Sequence, residues 1–312
     1  MSGSEQIWDR VIGERVRLRE LRILFAVARC GSMAKAAATL GMTQPAVSQA
    51  VALLEGALGV RLLDRGPRGV APTAYGEALM RRGAEAFDAL AQGVRDIAFL
   101  SGPGAGEVVV GASESYVAGG VLADIIRALM ARHAQLRVRV EESNTAAMDF
   151  SDLRERRVDV MLGRIATADL PADLHADILF EEALHLVAGG QNAWARAKRM
   201  GLADLQARPF VLAPAGTAVF ELVAAAFREA GLAMPEVRVT TYSMNLRLQL
   251  LSQGDYVTAF PGSLIRNNAS RWKLRVLPVA LGRKLPVAAI TLRNRTQGPA
   301  VQAFIAEARA VK

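Results

Sequence analysis

The sequence contains very little cysteine and no long hydrophobic run. Its 312 residues include a single cysteine, Cys30, so no disulfide can form within the chain, as is typical of a reducing compartment. No apolar stretch is long enough to span a membrane. Residues 1–16 mix charged and apolar side chains and therefore lack the apolar core of a secretory signal. We predict a cytoplasmic protein with no membrane segment.

Catalytic and metal-binding patterns are also scarce. The three histidines are scattered along the chain without the spacing of metal ligands. No Gly-x-Ser-x-Gly nucleophile motif is present. The adjacent carboxylates Glu141–Glu142 and Glu181–Glu182 lie on segments predicted to be extended, where neighbouring side chains point to opposite faces. The sequence therefore argues against an enzyme and indicates neither a metal site nor a cofactor.

Size and charge favour a multidomain protein with a polyanionic partner. A chain of 312 residues exceeds one typical core, which predicts two or three domains. There are 38 lysines and arginines against 30 acidic residues, a formal net charge of +8. Such an excess favours a nucleic acid or an anionic surface as partner, with a merely solvated basic surface as the alternative.

The N-terminal segment, residues 17–75, is predicted to form short helices separated by glycines. Leu18–Arg29 and residues 33–40 have the composition and apolar spacing of helices. Ser32 is placed to cap the second helix, and Thr43 to cap a third that runs to about residue 56. The segments 60–63 and 69–71 flank a turn at Arg65-Gly66-Pro67-Arg68 and predict a β-hairpin.

The third helix has one apolar face and one small, nearly uncharged polar face. At about 100° per residue, Gln44, Pro45, Ser48 and Gln49 share one side of the helix. Amide and hydroxyl groups can donate hydrogen bonds to base edges in the DNA major groove and accept them as well. A polar face without a partner is the alternative. The opposite, apolar side consists of Val47, Ala50, Val51 and Leu54.

A long helix is predicted from residue 73 to residue 100. Its apolar positions recur in heptads, which is compatible with a dimer seam. An amphipathic helix that packs on its own chain is the alternative. The glycine-rich run that follows, residues 101–106, is the clearest linker in the sequence. The heptad positions are Met80, Gly83, Phe87, Leu90, Val94 and Ile97.

Strands and helices alternate beyond the linker. The first set has a βαβαβ order, which predicts a mostly parallel sheet covered by helices, and a second α/β set follows it. These lengths fit two lobes with a cleft between them. The predicted strands are 107–112, 136–141, 158–163, 184–188, 210–213, 237–241, 256–260 and 287–292, and the predicted helices are 117–133, 146–156, 218–230, 244–252 and 299–310.

Three polar turns follow predicted strands, where open α/β sheets bind ligands next to helix N-termini. Their hydroxyl and backbone N–H groups suit a carboxylate or a polar hydroxylated ligand, and plain helix capping is the alternative. Glu114 could repel an anion, which argues against a purely anionic ligand. The turns are 113–115, 143–145 and 215–217.

The N-terminal block resembles that of LysR-type transcriptional regulators, and the order of elements extends the resemblance to nearly the whole chain. It implies an α/β protein with an N-terminal winged helix-turn-helix and a long linker helix. A two-lobed α/β effector-binding domain of the periplasmic-binding-protein type would follow. The matching residues are Leu21, Phe25–Val27, Gly31–Met33, Ala36–Ala37, Leu40, Thr43–Gln49, Leu54–Glu55, Leu58–Val60, Leu62–Leu63, Arg65 and Thr73.

The resemblance also implies domain limits. The winged helix-turn-helix would occupy residues 16–75, the linker and dimerisation helix 76–100, and a hinge 101–106. The effector-binding domain would occupy residues 107–312. Its first lobe would comprise about 107–177 and 283–312, and its second lobe about 178–282.

Site residues follow from the same resemblance. Thr43, Gln44, Pro45, Ser48 and Gln49 match positions that meet bases or adjacent phosphates. Ser32 and Lys35 match phosphate contacts, and Arg65 and Arg68 match a wing that enters the minor groove. The expected effector-binding residues are Ser113, Ser115, Ser143, Thr145, Thr217 and Phe260.

The function implied is control of transcription in response to a small-molecule effector bound between the lobes. The expected partners are double-stranded DNA carrying an imperfect inverted repeat near a promoter, a second copy or three further copies of the chain, and RNA polymerase. A solute-binding or enzymatic α/β protein whose helical N-terminus only dimerises is the rival hypothesis.

Overall fold

The structure is a computed structural model that describes residues 16–66, 69–102, 105–165 and 170–311. The chain divides into two compact units, Met1–Ala91 and Gln92–Lys312. Each unit buries apolar residues of its own. Within the part of the chain that the structure describes, no helix combines the length and the apolar character needed to cross a membrane.

The first unit contains short helices, a β-hairpin and the beginning of a long helix. Left-handed glycines follow the first three helices, at Gly31, Gly41 and Gly59, where a side chain would strain the backbone. The elements are α1 (Leu18–Cys30), α2 (Met33–Leu40), α3 (Gln44–Leu58), β1 (Leu63–Gly66), β2 (Gly69–Pro72) and α4 (Ala74–Ser101).

The hairpin begins later than the sequence predicted. Residues 60–62 were expected in its first strand, but β1 begins at Leu63 and pairs with β2 in antiparallel register. The reason is that Leu62 has other partners: its N–H donates to the Glu55 carboxylate over 2.7 Å, and its carbonyl accepts from Thr73. A residue bonded in this way cannot join the hairpin ladder.

The predicted long helix is confirmed as α4. Its heptad positions fall into two groups, one packed on the first unit and one exposed. Met80 and Phe87 pack on the core of the first unit. Gly83 is buried so closely that a Cβ there would lie 3.1 Å from the Phe25 ring. The apolar positions nearer the C-terminus remain at the surface. Their exposed fractions are 53% for Leu90, 68% for Val94, 65% for Ile97 and 80% for Leu100.

The second unit is built on one eight-stranded sheet, in the order β4-β3-β5-β10-β6-β9-β7-β8. Its strands are β3 (Gly106–Ala112), β4 (Leu136–Glu142), β5 (Val160–Arg164), β6 (Leu174–Gly189), β7 (Phe210–Leu212), β8 (Val237–Thr240), β9 (Val257–Pro261) and β10 (Leu274–Leu292). Its helices are α5 (Glu114–Ala118), α6 (Val121–Arg132), α7 (Ser151–Arg154), α8 (Ala218–Glu229), α9 (Met244–Gln253), α10 (Gly262–Asn268) and α11 (Pro299–Ala310).

The sheet as a whole is mixed, and the strands of the first βαβαβ set are parallel, as the sequence predicted. Both outer groups, β4-β3-β5 and β9-β7-β8, are parallel. They are joined by β6 and β10, which run antiparallel to each other and to the strands beside them. The predicted strands 184–188 and 287–292 are only the ends of these long strands, because their other halves pair with distant residues that local periodicity does not reveal.

Two predicted helices of the first α/β set are wrong in extent. The helix expected at 117–133 is divided into α5 and α6 by Gly119 and Gly120, and Gly120 has a φ of 83° that interrupts helical geometry. The helix expected at 146–156 is a short 3-10 turn, Thr145–Ala147, followed by α7. The helix α10 was not predicted.

Separate apolar cores lie at the two ends of the sheet. One packs α6 and α11 against β3 and β5, and centres on residues such as Ile125 and Phe304. The other packs α8 against β7 and β9, and includes Phe210 and Phe227 in edge-to-face contact. We call these ends the first and second lobes, and β6 and β10 join them.

Candidate nucleic-acid interface and ligand cleft

The polar face of α3 lies on the surface of the first unit. Gln44 and Gln49 are exposed and Ser48 is half-buried. Burial of one aliphatic side chain contributes about 1.5–3 kcal/mol, so the buried side fixes the rotation of the helix about its axis and keeps the polar side outward. That buried side is the predicted one: Val47, Ala50, Val51 and Leu54.

The start of α3 and the start of α2 are both capped as predicted. The Thr43 hydroxyl accepts from the Ala46 N–H, and the Ser32 hydroxyl accepts from the Lys35 N–H, each over 3.4 Å. Such ends combine free backbone N–H groups with a partial positive charge, which suits phosphate oxygens. Pro45 lies in the first turn of α3, where its missing N–H costs nothing.

The remaining residues predicted to meet DNA are mostly exposed. Lys35 lies on α2, and Thr43 and Pro45 lie at the start of α3, all three at the surface. Arg65 is exposed on β1 of the hairpin. Arg68 lies outside the described residues.

The hairpin is fixed to the helices by polar contacts. The Glu55 carboxylate at the end of α3 accepts hydrogen bonds from the N–H groups of Leu62 and Leu63. On the other side, the Val70 N–H donates to the Gly31 carbonyl over 2.9 Å, which joins β2 to the turn between α1 and α2. Hydrogen bonds therefore join the hairpin both to α3 and to the turn between α1 and α2.

The second unit contains a cleft of about 810 Å³ with walls from both lobes. The first lobe contributes the turns after β3 and β4 together with Arg164 at the end of β5. The second lobe contributes Tyr242, Arg247 and residues of β9. This is the edge where strands of open α/β sheets end and ligands bind.

Four of the six predicted effector residues line this cleft: Ser113, Ser115, Ser143 and Phe260. Their polar groups are partly engaged already. The Ser143 hydroxyl donates to Asp152 over 2.6 Å, so only its oxygen lone pairs remain for a ligand. Ser113 and Ser115 lie 3.1 Å apart, hydroxyl to hydroxyl.

The other two predicted effector residues, Thr145 and Thr217, do not line the cleft. Both are buried, 3% and 2% exposed. The Thr217 hydroxyl accepts from the Phe220 N–H over 3.2 Å and donates to the Pro214 carbonyl over 2.9 Å, which makes it the cap of α8. Capping, the alternative weighed from sequence, therefore accounts for Thr217.

A buried ion pair lies at the base of the cleft. Arg164 donates to the Glu182 carboxylate over 2.8 Å, and Glu182 accepts a second bond from the Ser263 N–H over 2.9 Å. The guanidinium of Arg164 also lies 4.7 Å from the centre of the Tyr116 ring. Burial alone would raise the pKa of Glu182, but Arg164 and Ser263 outweigh it and hold that pKa below its usual value.

A second arginine of the cleft wall, Arg247 on α9, has no carboxylate within ion-pair distance among the described residues. It is only 9% exposed, and its Nε has no hydrogen-bond partner there. Its Nη2 donates to the Tyr242 carbonyl over 3.4 Å, and its guanidinium lies 5.2 Å from the centre of the Phe260 ring. Burial lowers the pKa of Arg247 to about 10; Glu114 opposes this shift and Arg164 adds to it.

Both domains match models of a known family. Residues 18–77 match the bacterial regulatory helix-turn-helix protein of the lysR family. Residues 101–312, about two thirds of the chain, match the LysR substrate binding domain. The chain is a LysR-family transcriptional regulator. It therefore combines a DNA-binding helix-turn-helix domain with an effector domain, as the sequence predicted.

Curated relatives of this LysR-family regulator are similar over nearly their full length. It is 28% identical over 298 residues to the uncharacterized HTH-type transcriptional regulator YdcI of Escherichia coli, covering 95% of this chain and 96% of that protein. It is 26% identical to the HTH-type transcriptional regulator GbpR of Azospirillum brasilense, covering 95% of this chain and 86% of that one. Both relatives are HTH-type transcriptional regulators.

Solved structures of LysR-family and related regulators share the fold. Full-length CbnR complexed with its target DNA superimposes with a TM-score of 0.70 at 22% identity, covering 95% of this chain and 100% of that one. A full-length variant of OxyR from Pseudomonas aeruginosa gives a TM-score of 0.67 at 20% identity, covering 95% and 98%. The predicted architecture of this LysR-family regulator is confirmed.

Sequence reasoning missed the two arginines in the cleft of this LysR-family regulator. Arg164 is the last residue of the buried strand β5, at the same edge of the sheet as the predicted hydroxyl-bearing turns. Arg247 shares the buried face of α9 with Met244 and Leu251. A lone charge at helical spacing among apolar residues was the signal that could have found it.

Proposed function

We propose that this LysR-family regulator contacts base edges of the major groove with the exposed face of α3. Gln44, Pro45, Ser48 and Gln49 supply that face, and Thr43 supplies its first hydroxyl. Small uncharged side chains let the helix approach the bases, and amide and hydroxyl groups match the donor and acceptor pattern there. The single observation that carries this proposal is the outward position of Gln44 and Ser48 over a wholly apolar inner face.

Phosphate contacts hold that helix in register on the duplex. Ser32 and Lys35 at the start of α2 contact the backbone beside the groove. Arg65 on the exposed hairpin enters the neighbouring minor groove, and Arg68, at the tip predicted from sequence, acts with it. These contacts supply affinity without sequence preference.

The regulator acts as a homodimer or homotetramer joined through the second half of α4. Its exposed apolar positions continue the heptad pattern and lie free of the first unit's own core. A two-fold pair of winged helices binds an imperfect inverted repeat near a promoter, where RNA polymerase is within reach. The site of action is the cytoplasm, where the DNA is.

The effector binds in the cleft of the second unit, against Ser113, Ser115, Ser143 and Phe260. The linking strands β6 and β10 allow the lobes to close on it, which shifts the spacing of the paired winged helices. The domain limits are those that the resemblance implies. The winged helix-turn-helix occupies 16–75, the linker helix 76–100, the hinge 101–106 and the effector-binding domain 107–312. The lobes comprise about 107–177 with 283–312, and about 178–282.

A gel-shift experiment with DNA from upstream of the protein's own gene, against random DNA, tests the base contacts. Gln44→Ala and Ser48→Ala should each lose about 1–3 kcal/mol on the specific site and little on random DNA. Gln249→Ala, which removes an exposed glutamine from a helix of the other unit, is the matched control. Equal losses on both DNAs would refute the role of α3 in base recognition.

A further inference from the structure

Among the residues that the structure describes, one of the two arginines lining the cleft, Arg247, makes no ion pair. Among the described residues that face it, Arg164 is neutralised by Glu182 over 2.8 Å. Arg247 has only the Tyr242 carbonyl and the Phe260 ring, and its Nε points at no acceptor. A buried charge normally has a paired partner, because desolvation is otherwise expensive.

The surroundings of Arg247 increase the free-energy cost of burying its charge. The side chain is nine-tenths buried, and the second guanidinium, Arg164, adds positive potential to the same cleft. Glu114 provides a compensating negative charge, but its carboxylate is bound to the Met244 N–H and makes no ion pair with Arg247. A buried charged group with a strongly shifted pKa that faces a cleft is a candidate for a functional site.

We propose that Arg247 binds a carboxylate group of the effector, which is an organic monocarboxylate. A guanidinium presents a planar set of N–H donors that fits a carboxylate through two parallel hydrogen bonds. This inference rests on the proposed effector site and names the chemical class that the site accepts.

Other walls of the cleft define the rest of the ligand. Phe260 lies beside the guanidinium, and Val117 and Val219 add apolar surface, so the body next to the carboxylate is apolar or aromatic. Glu114 and Glu142 line the same cleft, which disfavours a second carboxylate on the ligand. Hydroxyl groups on the ligand can donate to the Ser143 oxygen.

Matched pairs of acids and amides test the proposal on the full chain. The probes are benzoate, phenylacetate and hexanoate at millimolar concentration, each beside its own neutral amide. We expect at least one acid to raise the melting temperature while its amide does not, because bound ligand stabilises by mass action. Titration calorimetry should show its affinity at least about tenfold lower in Arg247→Gln, partly restored in Arg247→Lys, and unchanged in Arg275→Gln, an exposed control.

The stability of the ligand-free variant separates a binding role from a structural one. Removing an uncompensated buried charge should leave the melting temperature of Arg247→Gln unchanged or higher. A marked fall would mean that Arg247 holds the fold, and it would overturn the proposal. Equal binding of acids and amides would overturn it too, as would no response to any of the acids.

One further variant distinguishes failure of this proposal from failure of the effector site. Val117 is 51% exposed on the cleft wall, so Val117→Trp obstructs the cleft at little cost to packing. If Val117→Trp abolishes binding of an acid but Arg247→Gln does not, the cleft is the effector site and the carboxylate contact is wrong. Binding that survives both changes would show that the ligand lies elsewhere.

Discussion

The Glu114 carboxylate accepts a hydrogen bond of 2.8 Å from the backbone N–H of Met244, across 130 residues of sequence. Glu114 is the first residue of α5 and Met244 the first residue of α9, so the bond connects the two lobes at a residue that lines the cleft. A negative charge at a helix N-terminus is favourable. The structure thus contains a direct hydrogen bond between the two lobes that form the walls of the cleft.

Replacing Glu114 with glutamine should weaken this link between the lobes. The variant loses the charge and its favourable position at the start of α9, and we expect the free energy of unfolding to fall by about 1 kcal/mol. Urea unfolding, monitored by circular dichroism, measures this free energy. Glu142→Gln, which removes an exposed carboxylate from the same cleft, should have no such effect. Equal stability of Glu114→Gln and the wild type would contradict the prediction.

Replacing Glu182 with glutamine should destabilise the second unit more strongly. The change leaves the buried Arg164 without its counter-ion, and breaking a buried pair costs about 3–5 kcal/mol. Glutamine can still accept a hydrogen bond, so we expect the lower end of that range. Glu181→Gln, at the neighbouring exposed position, is the control for denaturant unfolding. A loss no larger than that of the control would show that the ion pair contributes nothing.

The same carboxylate predicts a pH dependence of stability. Because the pKa of Glu182 is lower in the folded protein, its contribution is fully present above the unfolded value of about 4.3. That contribution is lost as the pH falls through the folded value. Between pH 7 and pH 3, the free energy of unfolding of Glu182→Gln should therefore fall less steeply than that of the wild type. If the free energies of unfolding of the two proteins fell equally steeply with pH, the pH dependence could not be assigned to Glu182.

Replacing Arg65 with alanine should weaken binding to specific and random DNA alike. A contact to one phosphate releases about one counter-ion, so the slope of log affinity against log salt should become smaller by about 1. Fluorescence anisotropy over a series of salt concentrations measures both quantities, with Arg275→Ala as an exposed control. A loss confined to the specific site would instead indicate that Arg65 contacts a base.

Replacing Val94 with glutamate should dissociate the oligomer that we propose. Val94 is 68% exposed in the single chain, and a charge in an apolar seam stays solvated only if the partner helix leaves. Sedimentation velocity should show a smaller species with an unchanged circular dichroism spectrum. Ala89→Glu places the same charge on another side of α4 and should leave the assembly intact. An unchanged assembly in Val94→Glu would show that the interface between subunits does not include Val94.

Local signals in the sequence were sufficient for the first three helices. The helices α1, α2 and α3 follow from apolar spacing, capping hydroxyls and terminal glycines, all of which act within a few residues. The orientation of α3 followed from the same information, because Val47, Val51 and Leu54 must be buried whatever surrounds them. The hairpin start was wrong because Leu62 bonds to Glu55, a contact between elements.

The tertiary structure alone decided the long strands and the chemistry of the cleft. The strands β6 and β10 pair residues that are distant in sequence, such as Leu174 with Leu292, which no local period encodes. The cleft brings Arg164, Arg247 and Glu114 to one cavity from separate strands and helices. By itself the sequence determined which residues avoid water. The folded chain determined which charges meet, and it left Arg247 without an ion-pair partner among the described residues. The physical reason is that burial and counter-ions depend on neighbours in space.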